Sequence, residues 1–434
     1  MLRQAIFKNP SKISIIVLAE ASFLYAGFGQ LFLIMPKENI YAVLIAGAGP
    51  AGLSAAVAAA KAGLRVAVFE RSKEIGYPIH TSGGSWIAEL RPLGVPERFM
   101  HPIRTGKFLA PNATASFSYD PPVSCILDVR GFYQFLAAQA ATAGADIFPS
   151  AAVERAIIRD DQAIGLVVRQ RGEFFAPLLI DATGMAGVLA QQMNLRGPIG
   201  RYGLGAEYDF YLPDWPTDTI ALLFGSLAPN GYGWIFPHGE SRVRIGIGVL
   251  HPDTTAEPRQ RLDHLLNRKE IAGCPVNRHA ALEFHLGAIP AVPPLEKTSA
   301  AGLLVVGDAG GLISTLLGEG IRFALDVGRM AGEVAVAAHQ TGRFDAEFLK
   351  SFDARWRNHY GKLFSWGYEI NQRLAKYNDE AWNQKINLLA QLPAATIPAL
   401  LKGDFSAPLL LSLFWRYRRR FSRAMLQFLY KNIL

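Results

Sequence analysis

Apolar runs separated by glycine-rich turns dominate the first part of the chain. From residue 40 the pattern predicts a strand, a glycine turn, an Ala-rich helix at 53–62, a second strand at 65–69 and a Gly/Ser-rich loop at 76–85. A further helix at 130–143 is followed by a short strand at 145–148. Strands that alternate with helices are typical of a parallel α/β sheet.

A different pattern is present at 107–128 and again at 202–286, where apolar and polar residues alternate. Such alternation is typical of half-buried antiparallel strands, so a second sheet is expected. A hairpin is predicted at 163–181, with its second strand running from 174 to 180, and a buried strand at 303–308. Most residues after 318 have helical spacing.

The fold class expected from these patterns is α/β, with two interwoven domains and C-terminal helices. The predicted division is an apolar N-terminal extension at 1–38, a Rossmann-like α/β domain at 39–103, 125–195 and 296–345, an antiparallel β domain at 104–124 and 196–295, and a helical region at 346–434.

The first strand runs into the glycine motif GAGPAG, which is typical of dinucleotide-binding sites. Gly47 would make the tight turn, Gly49 would let the backbone approach a pyrophosphate, and Gly52 would permit close helix packing. Glu70 ends the next strand, about twenty residues further on, where an acid holds ribose hydroxyls. An acid there favours an unphosphorylated ribose, and hence FAD or NAD.

A second motif, GDAGG, places Asp308 at the end of a buried strand, where α/β proteins bind ligands. Its carboxylate is suited to accept a hydrogen bond from a ribityl hydroxyl. The amides of Gly320 and Ile321, at the start of a predicted helix, are suited to contact the electron-rich edge of a flavin.

Together the two glycine motifs, Glu70, Arg130 and the DATG sequence at 181–184 resemble the flavoprotein monooxygenase-like superfamily, whose fold is that of p-hydroxybenzoate hydroxylase. The resemblance covers roughly residues 40–342. Within it, YGWIFP at 232–237 followed by GIG at 246–248 is similar to the YxWxFP…GxG signature of the geranylgeranyl reductase family.

The resemblance implies bound FAD and the reduction of isolated C=C bonds in a prenyl chain, by hydride from the flavin and a proton at the other carbon. The protein has to hold the alkene within roughly 3.5 Å of the flavin and exclude water. No catalytic acid is identified. The residues implied for FAD are Gly47, Gly49, Ala51, Gly52, Glu70, Thr81, Ser82, Gly84, Arg130, Val153, Asp308, Gly320 and Ile321.

One departure concerns the loop near the flavin, where many members of the family carry a cysteine. Thr81 occupies the matching position, so a thiol role at this point is absent or reassigned. The neighbouring His80 is a possible proton source, although loop histidines more often serve as plain hydrogen-bonding residues.

A substrate slot is expected in the alternating region. Tyr232, Trp234 and Phe236 alternate along one strand and therefore face one side of the sheet, while Gly246 and Gly248 leave the opposing strand bare. An aromatic wall against a glycine floor would admit a long, flat, apolar chain. The alternative is an aromatic stripe that fills the core.

Composition adds a basic charge, because the 434 residues carry a formal net charge of +8 and only 18% are charged. The C-terminal segment accounts for much of the excess. Its basic residues alternate with aromatic and aliphatic ones, which favours an amphipathic membrane-surface helix or a docked terminal helix over nucleic-acid binding. They are Arg416, Arg418, Arg419, Arg420, Arg423 and Lys431.

The two cysteines, Cys125 and Cys274, exclude a disulfide framework and a cysteine metal site, and no metal is expected. The default location is the cytoplasm, with peripheral attachment to a membrane. The apolar segment at 13–35 has three interpretations: a membrane anchor, a signal-like leader, or an extension upstream of a natural start at Met35, which is the favoured one.

Other functions on the same fold stay open. They are a monooxygenase that hydroxylates an apolar substrate and a carotenoid cyclase that uses FAD without net redox. A quinone-linked iron–sulfur flavoprotein is disfavoured by the two cysteines, and a halogenase is disfavoured because its family signature has other residues at Tyr232 and Phe236. The sequence does not determine whether the substrate is a prenyl lipid or a prenyl diphosphate, nor the oligomeric state. The electron donor is also open, between NAD(P)H, ferredoxin and a reduced quinone.

Overall fold

The structure is a computed structural model that describes residues 39–268 and 270–403. The predicted N-terminal extension at 1–38 and the basic segment after residue 403 lie outside the described residues. In the part of the chain that is described, no helix is long and apolar enough to cross a membrane.

The strands of the described residues are, in chain order, β1 (Val43–Ala46), β2 (Val66–Phe69), β3 (Gly84–Trp86), β4 (Met100–Ile103), β5 (Thr105–Ala110), β6 (Ala113–Ser118), β7 (Ser124–Leu127), β8 (Asp146–Phe148), β9 (Val153–Arg159), β10 (Gln162–Val168), β11 (Gly172–Phe175), β12 (Leu178–Asp181), β13 (Tyr202–Tyr211), β14 (Thr219–Leu223), β15 (Gly231–Pro237), β16 (Arg242–His251), β17 (Glu270–Ile271), β18 (Cys274–Pro275), β19 (Ala281–Pro290), β20 (Ser299–Ala300) and β21 (Leu303–Val305).

The α-helices of the same residues are α1 (Pro50–Lys61), α2 (Ile87–Leu90), α3 (Val129–Thr142), α4 (Val188–Gln192), α5 (Pro258–Leu266), α6 (Ile321–Thr341), α7 (Ala346–Leu374), α8 (Asp379–Leu389) and α9 (Ile397–Lys402).

A mainly parallel sheet forms the nucleotide-binding half, with the strand order β20-β21-β12-β1-β2-β8. Only β20 runs antiparallel to its neighbour. The central strands are buried on both faces, as their continuous apolar sequences require. Helices α1 and α6 pack tightly together on one face, and Gly328 of α6 allows this, because a β-carbon there would lie 2.2 Å from the Ala51 carbonyl oxygen.

A seven-stranded sheet forms the second half, in the order β19-β13-β16-β15-β14-β5-β6. All its neighbours are antiparallel except β14 and β5. Its core face packs on α5, where Leu262, Leu265 and Leu266 are buried. The α/β fold class expected from the sequence, with a parallel nucleotide-binding sheet, an antiparallel sheet and following helices, is confirmed.

Local details differ from the sequence prediction at two places. The strand expected at 174–180 is divided into β11 and β12 at Pro177, which lacks an N–H and cannot donate a hydrogen bond to a neighbouring strand. These two strands join different sheets. The alternating residues 107–128 are also divided, since β7 leaves the large sheet and pairs with β3 and β4 in a small sheet of its own. The proposed domain boundaries stay a prediction.

Candidate functional site

The glycine turn between β1 and α1 has the geometry that the motif demands. Gly47 has a φ of +103°, and a β-carbon there would lie 2.2 Å from the Ala182 carbonyl oxygen. A β-carbon on Gly52 would lie 2.1 Å from the Gly47 carbonyl oxygen, so only glycine lets the helix approach this closely. A β-carbon on Gly49 would meet no protein atom within 4 Å, so its backbone is open to a ligand.

Glu70 is held at the carboxyl end of β2 by two backbone amides. Its Oε2 accepts a hydrogen bond from the Ala48 N–H at 2.9 Å, and its Oε1 accepts one from the Ser72 N–H at 2.8 Å. These bonds fix the carboxylate beside the glycine turn. Its remaining lone pairs are available for the hydroxyls of a bound ribose.

A cavity that we call the cofactor cavity lies at the carboxyl ends of the parallel strands. Its walls combine the glycine turn, Glu70, the loop around Thr81, and the segment from Val306 to Ile321. Of the residues predicted for FAD, those that line it are Gly49, Ala51, Glu70, Thr81, Asp308, Gly320 and Ile321. Tyr133, which the sequence analysis did not single out, also lines it.

The other six predicted residues do not line this cavity; they are Gly47, Gly52, Ser82, Gly84, Arg130 and Val153. Arg130 is half exposed, pairs with Glu74, and lies with its guanidinium carbon 5.5 Å from the centre of the Tyr77 ring. Since Glu74 and Tyr77 both line the cavity, Arg130 lies just behind its rim. Val153 begins β9 and does not line the cavity, so its contact with FAD stays a prediction.

The DATG sequence has a structural role in the described residues. Asp181 is fully buried, and its Oδ1 accepts a hydrogen bond from the Thr183 N–H at 3.0 Å. Its Oδ2 accepts hydrogen bonds from the N–H groups of Leu189 and Ala190, both at 2.8 Å. The carboxylate therefore fastens the start of α4 to the end of β12.

A second cavity, here called the aromatic cavity, lies against the seven-stranded sheet. The side chains of Tyr232 and Trp234 line it, with ring centres 5.7 Å apart, and Gly248 lines it from the neighbouring strand. Phe224 and Trp382 of α8 also line it, and their rings stack on each other with centres 4.5 Å apart. The row of aromatic residues expected on one face of the strand is present.

Gly246 has a different relation to this cavity from the one expected. A β-carbon on Gly246 would lie 2.3 Å from an atom of the Trp234 ring and 2.7 Å from the Glu207 β-carbon. The indole therefore lies flat on this glycine and fills the space that the glycine leaves. Gly246 makes room for the Trp234 indole, whereas Gly248 lines the cavity itself.

The third cavity, here called the inner cavity, begins on the other side of Tyr232. Phe236 lines it together with Gly84 and Cys125. Ser82 and Tyr232 line both the inner and the aromatic cavity, while Thr81 and Gly318 line all three. The Tyr232 hydroxyl donates a hydrogen bond to the Leu317 carbonyl oxygen at 2.6 Å, which fastens the strand to the Gly318 segment. The predicted cofactor and substrate regions therefore meet at Thr81 and Gly318.

Two family models match the chain. Residues 42–193 match the FAD dependent oxidoreductase family, and residues 205–289 match the geranylgeranyl reductase catalytic domain. A digeranylgeranylglycerophospholipid reductase of Methanothermobacter thermautotrophicus is 33% identical over 350 residues, which cover 78% of this chain and 89% of that protein. One from Methanopyrus kandleri is 31% identical over 373 residues, covering 83% and 93%.

The chain belongs to the geranylgeranyl reductase family. It is an FAD-dependent enzyme that reduces prenyl chains. The fold agrees, because a geranylgeranyl bacteriochlorophyll reductase-like protein of Thermoplasma acidophilum has a TM-score of 0.76 at 22% identity, covering 86% of this chain and 98% of that one. The resemblance and the activity expected from the sequence are thus confirmed.

In this reductase the carboxyl of Asp308 lines the cofactor cavity, and its pKa is shifted. Burial raises its pKa to about 6, although the charge of Arg196 acts in the opposite direction. The Arg196 guanidinium donates a hydrogen bond to the Ala309 carbonyl oxygen at 3.0 Å, beside Asp308. A carboxyl in this state gains from a hydroxyl donor, which a ribityl chain would supply.

The Asp308→Asn variant should change how stability without FAD depends on pH. Because the folded-state pKa lies above the unfolded value, the favourable contribution of Asp308 is present below about pH 4 and is lost as the pH rises through 6. We expect the variant to exceed the original protein by about 2 kcal/mol in unfolding free energy at pH 7.5, with the difference shrinking towards pH 4.5. Urea denaturation of FAD-free protein at both pH values measures this, and a difference that does not vary with pH would contradict the assignment.

A buried charged cluster was missed by sequence reasoning. Glu207, Arg244 and His285 come from three adjacent strands, and each is no more than 5% exposed. Glu207 and His285 line the aromatic cavity. The available signal was the occurrence of charged side chains at inward positions of otherwise apolar alternating strands, which is unusual unless they are paired.

Proposed function

We propose that this reductase hydrogenates isolated double bonds in the geranylgeranyl chains of a glycerophospholipid, with the chain held in the aromatic cavity. The observation that carries the proposal is that this apolar cavity and the cofactor cavity meet at Thr81 and Gly318. A flavin ring at that meeting point would face the chain directly. The two relatives named for digeranylgeranylglycerophospholipids support the class of lipid.

For the cofactor we propose that FAD is held by the predicted residues of the glycine turn, Glu70, the 81–84 loop, Arg130, Val153, Asp308, Gly320 and Ile321. When bound, FAD in its reduced form supplies two electrons and one hydrogen to the alkene. The open backbone at Gly49 and the amide-held Glu70 carboxylate suit a pyrophosphate and a ribose. Arg130 would act at the rim, through its contacts with Glu74 and Tyr77.

For the substrate we propose that Tyr232 and Trp234 lie against the flat prenyl chain and that Gly248 leaves room for its methyl branches. Phe236 would contact the part of the chain that passes Tyr232 into the inner cavity. Gly246 would contribute by holding the Trp234 indole. These apolar walls also exclude water, which protects the reduced cofactor from side reactions.

We also propose that the protein works at a membrane surface, since its lipid substrate resides there. The run of arginines with interleaved aromatic residues after residue 413 has the composition of a basic interfacial segment. For the electron donor we propose NAD(P)H or ferredoxin.

To test this, the flavin of the purified yellow protein is reduced with light in the absence of oxygen. The prenylated phospholipid is then added in anionic or neutral vesicles. Flavin reoxidation, with a product heavier by two hydrogens for each bond, is the expected result, and it should be faster with anionic vesicles. A product that needs oxygen and gains a hydroxyl would instead identify a monooxygenase, and a product of unchanged mass a cyclase. Supplying NAD(P)H or reduced ferredoxin in place of light identifies the donor.

A variant that fills the aromatic cavity provides the control for this test. Gly205 lines the cavity, and its β-carbon would lie 3.3 Å from the Trp234 ring, so leucine there projects into the space for the chain. Gly205→Leu should retain FAD and lose reoxidation by the prenyl lipid. Gly200 is exposed and a β-carbon there meets nothing within 4 Å, so Gly200→Leu should behave like the original protein. Equal rates in both variants would overturn the assignment of the chain to this cavity.

A further inference from the structure

The buried cluster beside the aromatic cavity contains a carboxylate with an unusual set of partners. Glu207 is 3% exposed, and its Oε1 accepts a hydrogen bond from His285 Nδ1 at 2.9 Å. Its Oε2 accepts one from the Trp234 indole N–H at 2.8 Å. The Ser82 side chain also lies beside this carboxylate and lowers its pKa. Glu207 is therefore hydrogen-bonded to the aromatic wall and lies next to the loop beside the cofactor cavity.

His285 connects this carboxylate to the outside of the protein. Its other ring nitrogen, Nε2, lies 3.0 Å from Oε2 of Glu283. The Glu283 side chain is 40% exposed, whereas the side chains of His285 and Glu207 are each 4% exposed. Glu283, His285 and Glu207 thus form a continuous hydrogen-bonded path from solvent to the wall of the aromatic cavity.

The charges along this path favour a stored proton on the histidine. Burial by itself would lower the pKa of His285, but the hydrogen bonds and charges of Glu207 and Glu283 raise it overall. Burial would raise the pKa of Glu207, but His285, Arg244, Ser82 and Trp234 lower it overall. Both pKa shifts favour an imidazolium hydrogen-bonded to a carboxylate.

The groups that face His285 from the surrounding strands agree with this state. Glu207 of β13 and Glu283 of β19 attract its proton, while Arg244 of β16 opposes it. Arg244 Nη1 donates to the Ser82 carbonyl oxygen at 2.8 Å, and its Nε lies 3.9 Å from Glu207 Oε1. The arginine therefore holds the Ser82 loop and the carboxylate together.

Ser82 is the point at which the path reaches the substrate space. It lines the aromatic and inner cavities, and the preceding Thr81 lines all three cavities. Both ring nitrogens of His285 are bonded to carboxylates, so the imidazolium has no N–H left to donate into the cavity itself. A proton from His285 can reach the cavity through Glu207 and the Ser82 hydroxyl.

We propose that His285 and Glu207, with His285 held by its hydrogen bond to Glu283, form a proton relay that delivers the second hydrogen of each reduced double bond through the hydroxyl of Ser82. This inference deepens the proposed function and rests on it. One alkene carbon gains a hydrogen with two electrons from the established reductive activity. The other forms its new C–H bond with the proton of the Ser82 hydroxyl.

One proton from solvent returns the groups of the relay to their starting state. Ser82 regains its proton from Glu207, which takes one from His285 Nδ1. The Nε2 proton stays in the hydrogen bond to Glu283. Nδ1 is therefore refilled through Ser82 and Glu207, by a water molecule that enters the aromatic cavity when the product leaves. Each double bond therefore consumes two electrons, one hydrogen from the reductant and one proton from water, and no group of the protein is changed at the end. His285 and Glu283 are positioning residues in this scheme, because they act through Glu207.

The first measurement of the relay observes the His285 ring by ¹⁵N NMR in the purified protein without substrate. The His285→Gln variant assigns its signals. We expect both ring nitrogens to carry protons at pH 7.5, and we expect Glu207→Gln to shift the midpoint of this titration to lower pH. A His285 that is neutral at pH 7.5, or a titration that Glu207→Gln does not move, would overturn the relay.

The second measurement follows reoxidation of the reduced flavin by the prenyl lipid in a single turnover. Glu207→Gln should slow it by roughly 10²- to 10⁴-fold, the range for loss of a proton donor. The rate in the original protein should fall as the pH rises through the pKa of His285, since the stored proton is then lost. His285→Gln should slow the reaction and remove this pH dependence. Glu207→Gln removes the counter-charge of Arg244. If this prevents folding, His285→Gln tests the same path, because it leaves the Arg244–Glu207 ion pair intact.

A matched control lies on the same sheet. His238 Nε2 is 2.7 Å from Asp209 Oδ2, which is also a buried histidine–carboxylate pair, but neither residue lines any of the three cavities. His238→Gln should leave the single-turnover rate within about threefold, since it lies outside the proposed path. Failure of the original protein to react with any prenyl lipid would refute the proposed function, whereas a fast reaction in both Glu207→Gln and His285→Gln would refute only the relay.

Discussion

Gly47→Ala is expected to abolish useful FAD binding, with an affinity at least about 100-fold lower. The β-carbon would lie 2.2 Å from the Ala182 carbonyl oxygen and 2.7 Å from its carbonyl carbon, which are backbone atoms of the adjacent strand end and cannot rotate away. The turn has to move by roughly 1 Å, a displacement that typically costs about 100-fold when geometry matters. Absorbance of bound flavin in the purified variant, and titration of the FAD-free protein with FAD, measure the loss.

The same substitution should also lower the free energy of unfolding by about 2–5 kcal/mol. Alanine at a φ of +103° costs about 1–2 kcal/mol, and the overpacked contact adds about 1–3 kcal/mol. Gly63 separates the cost of a positive φ from the cost of the overpacked contact. Its φ is +85°, but a β-carbon there meets nothing within 4 Å. Gly63→Ala should cost about 1 kcal/mol and keep FAD. If both variants bind FAD equally well, the close contact at Gly47 is not what shapes the turn.

The second large effect is expected for Gly246→Ala, which should reduce turnover of a prenyl lipid by about 100-fold or more while FAD remains bound. The new methyl group would lie 2.3 and 2.4 Å from atoms of the Trp234 ring. The indole must then leave its place, and its hydrogen bond to Glu207 is lost with it. Overpacking of this kind also costs about 1–3 kcal/mol of stability. The kcat/KM for the lipid and the flavin content of the variant are the measurements.

Gly248→Ala is the matched variant, since it lies on the same face of the same strand two residues further on. Its β-carbon would lie 3.4 Å from the Trp234 ring, an ordinary contact. We expect turnover to fall by less than about tenfold, because one methyl group narrows the cavity without moving the indole. A larger loss in Gly248→Ala than in Gly246→Ala would contradict the structural role assigned to Gly246.

Much of the fold was predictable because its signals are local. The strand, glycine turn and helix around Gly47 lie within about twenty residues, and their spacing is fixed by backbone geometry. The hydrophobic patterns predicted the α/β class and the second sheet, and the family resemblance implied the FAD-dependent reduction of prenyl chains. These predictions are confirmed. The division between β11 and β12 escaped prediction, because periodicity does not reveal which sheet a strand joins.

The candidate site was predictable only in part. The cofactor residues that line the cavity lie at strand ends or helix starts, as motif spacing requires. For the substrate side, the alternation of Tyr232, Trp234 and Phe236 indicated a shared face. It did not indicate that Tyr232 would separate two cavities, or that Gly246 would be covered by an indole.

By itself, the sequence determined the nucleotide-binding module and the family, because both depend on residues that are close along the chain. Only the tertiary structure brought Glu207 to His285, which is 78 positions away, and Tyr232 to Leu317, which is 85 positions away. Those contacts depend on the register of antiparallel strands and on how two sheets pack. Strand register and sheet packing are set by the burial of whole faces and not by any local spacing.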